Sequence, residues 1–229
     1  MKIKFLIVFL SGVFLSTQFA NAQSGLFSGD VQINAQAVSD YRFRGMSRTN
    51  NDFAIQGGID FYSDSGLYVG AWASNVDGFN GADAETNLYV GYSGENEGMI
   101  YDFGVTGYLF PGGSNINHIE TYGSVGLDFG LFTSSVGVAY MPEQSNLMDM
   151  DNIYVYNDTK IYVPDTPFSI DLHLGFEDGY FGNEKIDWKI GTSVTFEQFE
   201  LGISYVDTNV TGLGKRADSG VIFSIAAFF

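Results

Sequence analysis

The chain has 229 residues, no cysteine, a formal charge of −17, and 45% hydrophobic and 16% aromatic residues. The charge argues against nucleic acid or anionic lipid surfaces as partners, the hydrophobic share excludes a disordered chain, and stability must come from something other than disulfides. With 29 glycines and only 4 prolines, the composition suits many strands and tight turns better than helices.

The first element is an export signal. Lys2 and Lys4 form a positive n-region, Phe5 to Leu15 an apolar stretch, and Ala20-Asn21-Ala22 a small-x-small cleavage site. This layout predicts a signal peptide over residues 1–22 and a mature chain over 23–229. No later segment offers the ~18 consecutive apolar residues of a spanning helix.

From residue 30 onward the hydrophobic period is 2. Val31, Ile33, Ala35 and Ala37 alternate with Gln32, Asn34 and Gln36; Trp188, Ile190 and Val194 alternate with Lys189, Gly191 and Ser193. Successive side chains on a strand point to opposite faces, so each run has one apolar face and one polar or glycine face. About twelve such runs can be counted, at 30–43, 53–62, 67–74, 86–94, 99–110, 119–129, 132–141, 152–163, 168–176, 187–196, 199–206 and 219–229. Most are near the ~9–11 residues that a tilted strand needs to cross a bilayer.

The intervening segments alternate in length. Arg44 to Asp52, Asn75 to Glu85, Pro111 to His118, Pro142 to Asp151, Glu177 to Ile186 and Asp207 to Asp218 are long. Ser63 to Gly66, Glu95 to Gly98, Gly130-Leu131, Pro164 to Pro167 and Glu197-Gln198 are short. Short turns on one side and long loops on the other predict an all-β fold: a closed antiparallel up-and-down transmembrane β-barrel of about 12 strands, set in the outer membrane. A soluble sandwich gives no reason for that alternation and would need to cover its edges. In the last run Val221, Phe223, Ile225, Ala227 and Phe229 share one face, and Phe229 resembles the terminal aromatic signal read by the outer-membrane assembly machinery. Aromatics gather at run ends, among them Tyr41, Phe43, Tyr62, Phe110, Phe129, Tyr140, Trp188 and Tyr205, as expected of membrane-interface belts.

Three stretches carry a family resemblance: Ser39-Asp40-Tyr41-Arg42-Phe43-Arg44-Gly45-Met46-Ser47, Ile55-Gln56-Gly57-Gly58-Ile59-Asp60, and Gly66-Leu67-Tyr68-Val69-Gly70-Ala71-Trp72-Ala73-Ser74-Asn75-Val76, with Leu88 to Gly94 in the same pattern. Together they resemble the TorF family of porin-like proteins, a bacterial group of unknown function. The match covers the N-terminal third of the mature chain. It implies an outer-membrane barrel of porin type and supplies no substrate or catalytic residue.

If the apolar positions face lipid, the opposite face lines the lumen. That places Gln32, Asn34, Gln36, Asp40, Arg42, Gln56, Asp60, Asp102, Glu120, Asp128, Asp158, Lys160, Asp171, His173, Asp187 and Lys189 inside, with inner glycines such as Gly91, Gly104 and Gly175 leaving room for water. Eight strands are filled by side chains and about sixteen leave a channel. Twelve strands with a mostly acidic inner face therefore point to a narrow, cation-preferring channel for small hydrophilic solutes; the alternative is a structural or adhesive barrel without an open pore, plugged by inward-folded loops. Strand 67–74 can face either way, because both of its faces are apolar. Arg42, Arg44 and Arg48 cluster after the first run. Arg42 is expected to pair with a lumenal Asp, and Arg44 or Arg48 to touch lipopolysaccharide phosphates, rather than to clamp a substrate.

No enzymatic chemistry is indicated. His118 is expected on a long outer loop and His173 inside the barrel; neither lies near a Gly-x-Ser-x-Gly nucleophile motif. Asp149 to Lys160 lacks the Gly and Glu of a calcium loop, and the outer acids Asp77, Asp83, Glu85, Asp149 and Asp151 read as a solvated surface. No cofactor or metal site is assigned. The expected partners are outer-membrane lipid and lipopolysaccharide, the barrel assembly machinery and small solutes; porin-like barrels often trimerise, so an oligomer fits this reading.

Overall fold

The computed structural model describes residues 28–229. The signal-peptide expectation for residues 1–22 falls outside the described residues.

Alternating side chains generate β1 (Gly29–Val38), which runs into a two-residue hairpin of β2 (Arg42–Phe43) and β3 (Met46–Ser47). Then follow β4 (Ala54–Ser63), β5 (Leu67–Phe79), β6 (Ala82–Asn96), β7 (Met99–Leu109), β8 (His118–Asp128) and β9 (Phe132–Met141). The chain closes with β10 (Asn152–Tyr162), β11 (Phe168–Gly179), β12 (Gly182–Phe196), β13 (Phe199–Thr208) and β14 (Gly220–Phe228). Except for the small β2–β3 hairpin, each strand pairs antiparallel with its sequence neighbours, and β1 pairs with β14 from Asn34↔Phe228 to Val38↔Ser224. The result is a closed barrel of twelve strands, which leaves no sheet edge unpaired. Phe229 completes the seam: its N–H donates to the Ile33 carbonyl (2.8 Å) and its carbonyl accepts from the Ile33 N–H (2.9 Å).

The outside is apolar. Val31, Ile59, Leu88, Val125, Ile190 and Phe223 all project outward and are exposed, Val125 at 59%. A soluble protein buries such a surface, whereas a barrel in lipid presents it. Aromatic rings rim it: Phe129 stacks on Phe132 (4.5 Å), and Trp188 lies against Tyr205 (5.2 Å). Tyr41, Phe43, Tyr62 and Phe110 depart from the belt expectation and turn inward. Strand β5 settles its facing as well: Tyr68 is buried and Trp72 packs against the interior cluster, while Leu67 and Val69 face out.

Two connections expected to be long are tight. β5 and β6 extend past the bilayer length, to 13 and 15 residues, and meet at Asn80-Gly81. Both residues have positive φ, 49° and 87°, the requirement of a two-residue type I′ hairpin. β11 and β12 likewise extend to a turn at Tyr180-Phe181. The largest difference lies in the first connection. The opening strand stops at Val38 rather than continuing to residue 43, and residues 40–50 fold into the barrel, with 51–53 exposed on the way to β4.

Candidate functional site in the barrel lumen

The inward loop is organised by Asp40. Its carboxylate accepts from Arg42 Nε (2.5 Å), Ser47 Oγ (2.5 Å) and Thr49 Oγ1 (3.0 Å). Positive φ at Arg44 (48°) and Gly45 (80°) turns the tip, which aims Arg44 across the lumen. Arg44 Nη2 reaches Glu120 on β8 (2.5 Å) and Nη1 reaches Glu177 on β11 (2.7 Å). Its guanidinium lies 4.4 Å from the centre of the Tyr154 ring, a cation–π contact in a desolvated setting. Lys185 pairs with Glu177 and donates to the Arg44 carbonyl (2.9 Å). Apolar packing supports these ion pairs: Phe43 meets Tyr108 edge-on (5.8 Å) and Tyr41 meets Trp72 (5.5 Å).

A second feature fills the wall. Tyr68 lies over Gly91, Tyr89 over Gly70, Tyr122 over Gly104, Tyr156 over Gly137 and Tyr154 over Gly175, each ring where a Cβ would collide with it. The inner glycines therefore seat tyrosine rings from neighbouring strands, rather than leaving room for water; this is the cross-strand rescue of glycine by an aromatic ring. The phenols then bind carboxylates. Tyr68 donates to Asp102 (2.6 Å) and touches the Tyr122 hydroxyl, and Tyr89 donates to Asp60.

Below the loop a cavity of about 270 Å³ remains, reaching from Arg44 to Glu200 beside the β12–β13 turn. Small and charged side chains of β10 to β14 line it. Lys160 lies 3.4 Å from Glu200 and 3.6 Å from Asp171. His173 bridges two acids, with Nδ1 2.7 Å from Asp158 and Nε2 3.1 Å from Asp187, and Nε2 is also 2.7 Å from the Tyr154 hydroxyl. Glu120 Oε2 and Asp187 Oδ2 are buried and accept no hydrogen bond from the protein.

The expected lumen residues thus separate into groups. Gln56, Asp158, Lys160, Asp171, His173 and Lys189 line the cavity, as do Gln36, Asp187 and Glu120, although Glu120 is held by Arg44. Asp60 and Asp102 face inward but lie buried behind Tyr89 and Tyr68, so they form no water-facing acidic ring. Asp40 and Arg42 belong to the inward loop rather than to the first strand, and their pairing scaffolds that loop. Asp128 sits at the rim, where its carboxylate accepts from the Gly130 N–H (2.7 Å) in the turn. Gln32 and Asn34 lie on the inner side of β1 and are half-buried. Phe229 ends the seam with its ring exposed.

Other expectations change outright. Arg44 and Arg48 do not reach lipopolysaccharide, because both are held inside; Arg48 lies 4.7 Å from the Phe43 ring. His118 opens β8 instead of riding a loop, and it is buried against Tyr108 (4.6 Å) and Phe181 (5.0 Å). Glu85 is fully buried on β6, where it accepts from Tyr41 and Asn87 (3.2 and 3.0 Å). Glu177, Lys185 and Glu200 were not singled out in the sequence. The first two fall in a segment read as a loop, and continued alternation through Phe176-Glu177 and Ile186-Asp187 was the available signal.

Among solved structures, the fold is similar to the NanC porin (TM-score 0.60, 9% identity, covering 87% of this chain and 100% of that one). It is also similar to the KdgM porin in complex with disordered oligogalacturonate (TM-score 0.56, 10% identity, 86% and 98%). At such identities the likeness is one of fold. No curated protein matches the chain. The family model described as a bacterial protein of unknown function, Gcw_chp, matches residues 20–224, and the chain belongs to that family.

Proposed function

We propose that the chain is a narrow outer-membrane channel for small hydrophilic solutes with a preference for cations. One observation carries this reading: a closed barrel with an apolar exterior encloses a cavity of about 270 Å³, into which charged and hydroxyl side chains project. The resemblance to the TorF porin-like family and the shared fold with two porins support it. The preference for cations rests on charge. The cavity is lined by Asp40, Glu120, Asp158, Asp171, Asp187 and Glu200 against Arg42, Arg44, Lys160, Lys189 and His173, and two of those acids keep an unpartnered oxygen. Acid-lined pores favour cations. The oligogalacturonate named with KdgM is a carboxylated sugar chain; the acid excess here suits other solutes.

In this reading lipid and lipopolysaccharide surround the apolar belt, the assembly machinery reads the Phe229 end, the loop end of the barrel faces outward, and His118 and His173 have no catalytic role. The second reading, a barrel without an open pore, is favoured by the loop folded inward over the cavity. Planar-bilayer recording of mature protein, Gln23 to Phe229, in a salt gradient tests both. Discrete conductance steps with a cation-selective reversal potential are expected. A folded, heat-modifiable barrel that never conducts, even with the loop removed, overturns the channel.

A further inference from the structure

We propose that residues 40–51 form a gate: a plug latched by Arg44, whose withdrawal joins the cavity to the loop end of the barrel. The inference rests on the channel reading and adds how that channel is closed.

Position comes first. Arg42, Phe43, Arg44 and Gly45 are the ceiling of the cavity, so the segment that ends the cavity is the loop and not the barrel wall.

Attachment comes second. The loop's main chain pairs with itself, through Arg42↔Ser47, Phe43↔Met46 and the Arg48 N–H donating to the Tyr41 carbonyl (2.8 Å). Beneath it, β1 and β4 remain paired up to Val38↔Ala54. Two main-chain bonds run between the loop segment and the wall: the Ser39 N–H donates to the Phe223 carbonyl (2.9 Å) at the hinge, and the Asp77 N–H donates to the Arg48 carbonyl (2.9 Å). Side chains add the Arg44 pairs, the Lys185 bond to the Arg44 carbonyl, the bond from Arg42 Nη1 to the Asp218 carbonyl (2.7 Å), the Tyr41 hydroxyl bond to Glu85 (3.2 Å), and the Phe43 and Tyr41 ring contacts. Withdrawal of residues 40–51 leaves the Ser39–Phe223 bond in place and therefore breaks no ladder bond of the barrel. Asp40, Ser47 and Thr49 bind one another inside the loop, so it can leave as a unit.

The wall also holds spare partners. Removing a cation from a buried carboxylate is costly because the charge is left alone. Here Glu177 keeps Lys185 and the Asn152 amide (3.0 Å), and Glu120 keeps the Tyr108 hydroxyl (3.4 Å). The latch can open with Glu177 still paired, while Glu120 passes from Arg44 to the water that enters the vacated lumen, and the same contacts receive it on closing. Such a two-position element is what gating requires.

The absence of cysteine makes the test clean. Ser47, 2% exposed within the loop, is replaced in Ser47→Cys, and labelling by a membrane-impermeant maleimide is timed in folded, heat-modifiable protein. Adding Arg44→Ala is expected to raise the labelling rate and the single-channel open fraction by about tenfold or more, because the ion pairs that hold the plug are lost. A second variant, with residues 40–51 replaced by a short Gly-Ser link, does not depend on how Arg44→Ala folds; its steps should be larger than those of the wild type. Unchanged labelling and open fraction in Arg44→Ala, or wild-type conductance from the link variant, overturn the gate and leave the channel standing. No conductance from the link variant overturns the channel itself.

Discussion

At the loop end of the lumen Glu177 and Glu85 are fully buried and locked to neighbours, whereas at the turn end Asp171 and Asp158 keep 26% and 24% of their side chains exposed. Both ends are built from the same alternating strands and the same mixture of acids, bases and tyrosines. What differs is the inserted loop. It brings Tyr41 and Phe43 into an apolar cluster with Val38, Ala54, Tyr108 and Phe110, and it delivers Arg44 to carboxylates that water would otherwise reach. The difference teaches that strand number alone does not decide whether a twelve-stranded barrel is filled; one connection of suitable sequence can fill half of it.

The comparison is broken most directly by removing its central carboxylate. Glu177→Ala leaves Arg44 and Lys185 without their shared acid and should cost about 3–5 kcal/mol in denaturant unfolding of the lipid-refolded barrel. Asp171→Ala, whose Lys160 retains Glu200, should cost at most about 1 kcal/mol. Equal losses would mean that the two ends are held alike.

Phe43→Ala removes the ring packed against Tyr108 and should cost about 3 kcal/mol in the same assay, with a rise in open fraction that no turn-end truncation reproduces. Gly137→Ala places a methyl where the Tyr156 ring lies and should destabilise by roughly 1–3 kcal/mol. At the outward-facing Gly107 an added Cβ would lie 3.8 Å from the Leu88 carbonyl oxygen, and Gly107→Ala should stay within about 0.5 kcal/mol of wild type.

The smallest expected effect sharpens the comparison most. Asp171→Asn, in the cavity, should move the reversal potential in a salt gradient toward that of a non-selective pore. Asp102→Asn, behind Tyr68, should leave the potential unchanged; a larger shift from Asp102→Asn would relocate the filter to the tyrosine-lined wall.

The sequence by itself determined which side of the wall most strand residues take, strand 67–74 excepted. Val31, Ile59, Leu88, Val125 and Ile190 face lipid because a period of 2 admits only two faces and one solvent mismatch would expose polar groups to hydrocarbon. It also determined twelve strands and the end at which both termini of the described barrel lie. Asn80-Gly81 was a legible hairpin signal that length alternation had masked. Only the tertiary structure decided the fate of residues 39–53. Asp40, Arg42 and Arg44 continue the alternation of β1, and local periodicity is the same whether such a segment lengthens a strand or folds into a lumen. The partners that choose between the two, Glu120 and Glu177, lie 76 and 133 residues from Arg44; their pairing is a property of the closed barrel, because only closure brings β8 and β11 within reach of one guanidinium.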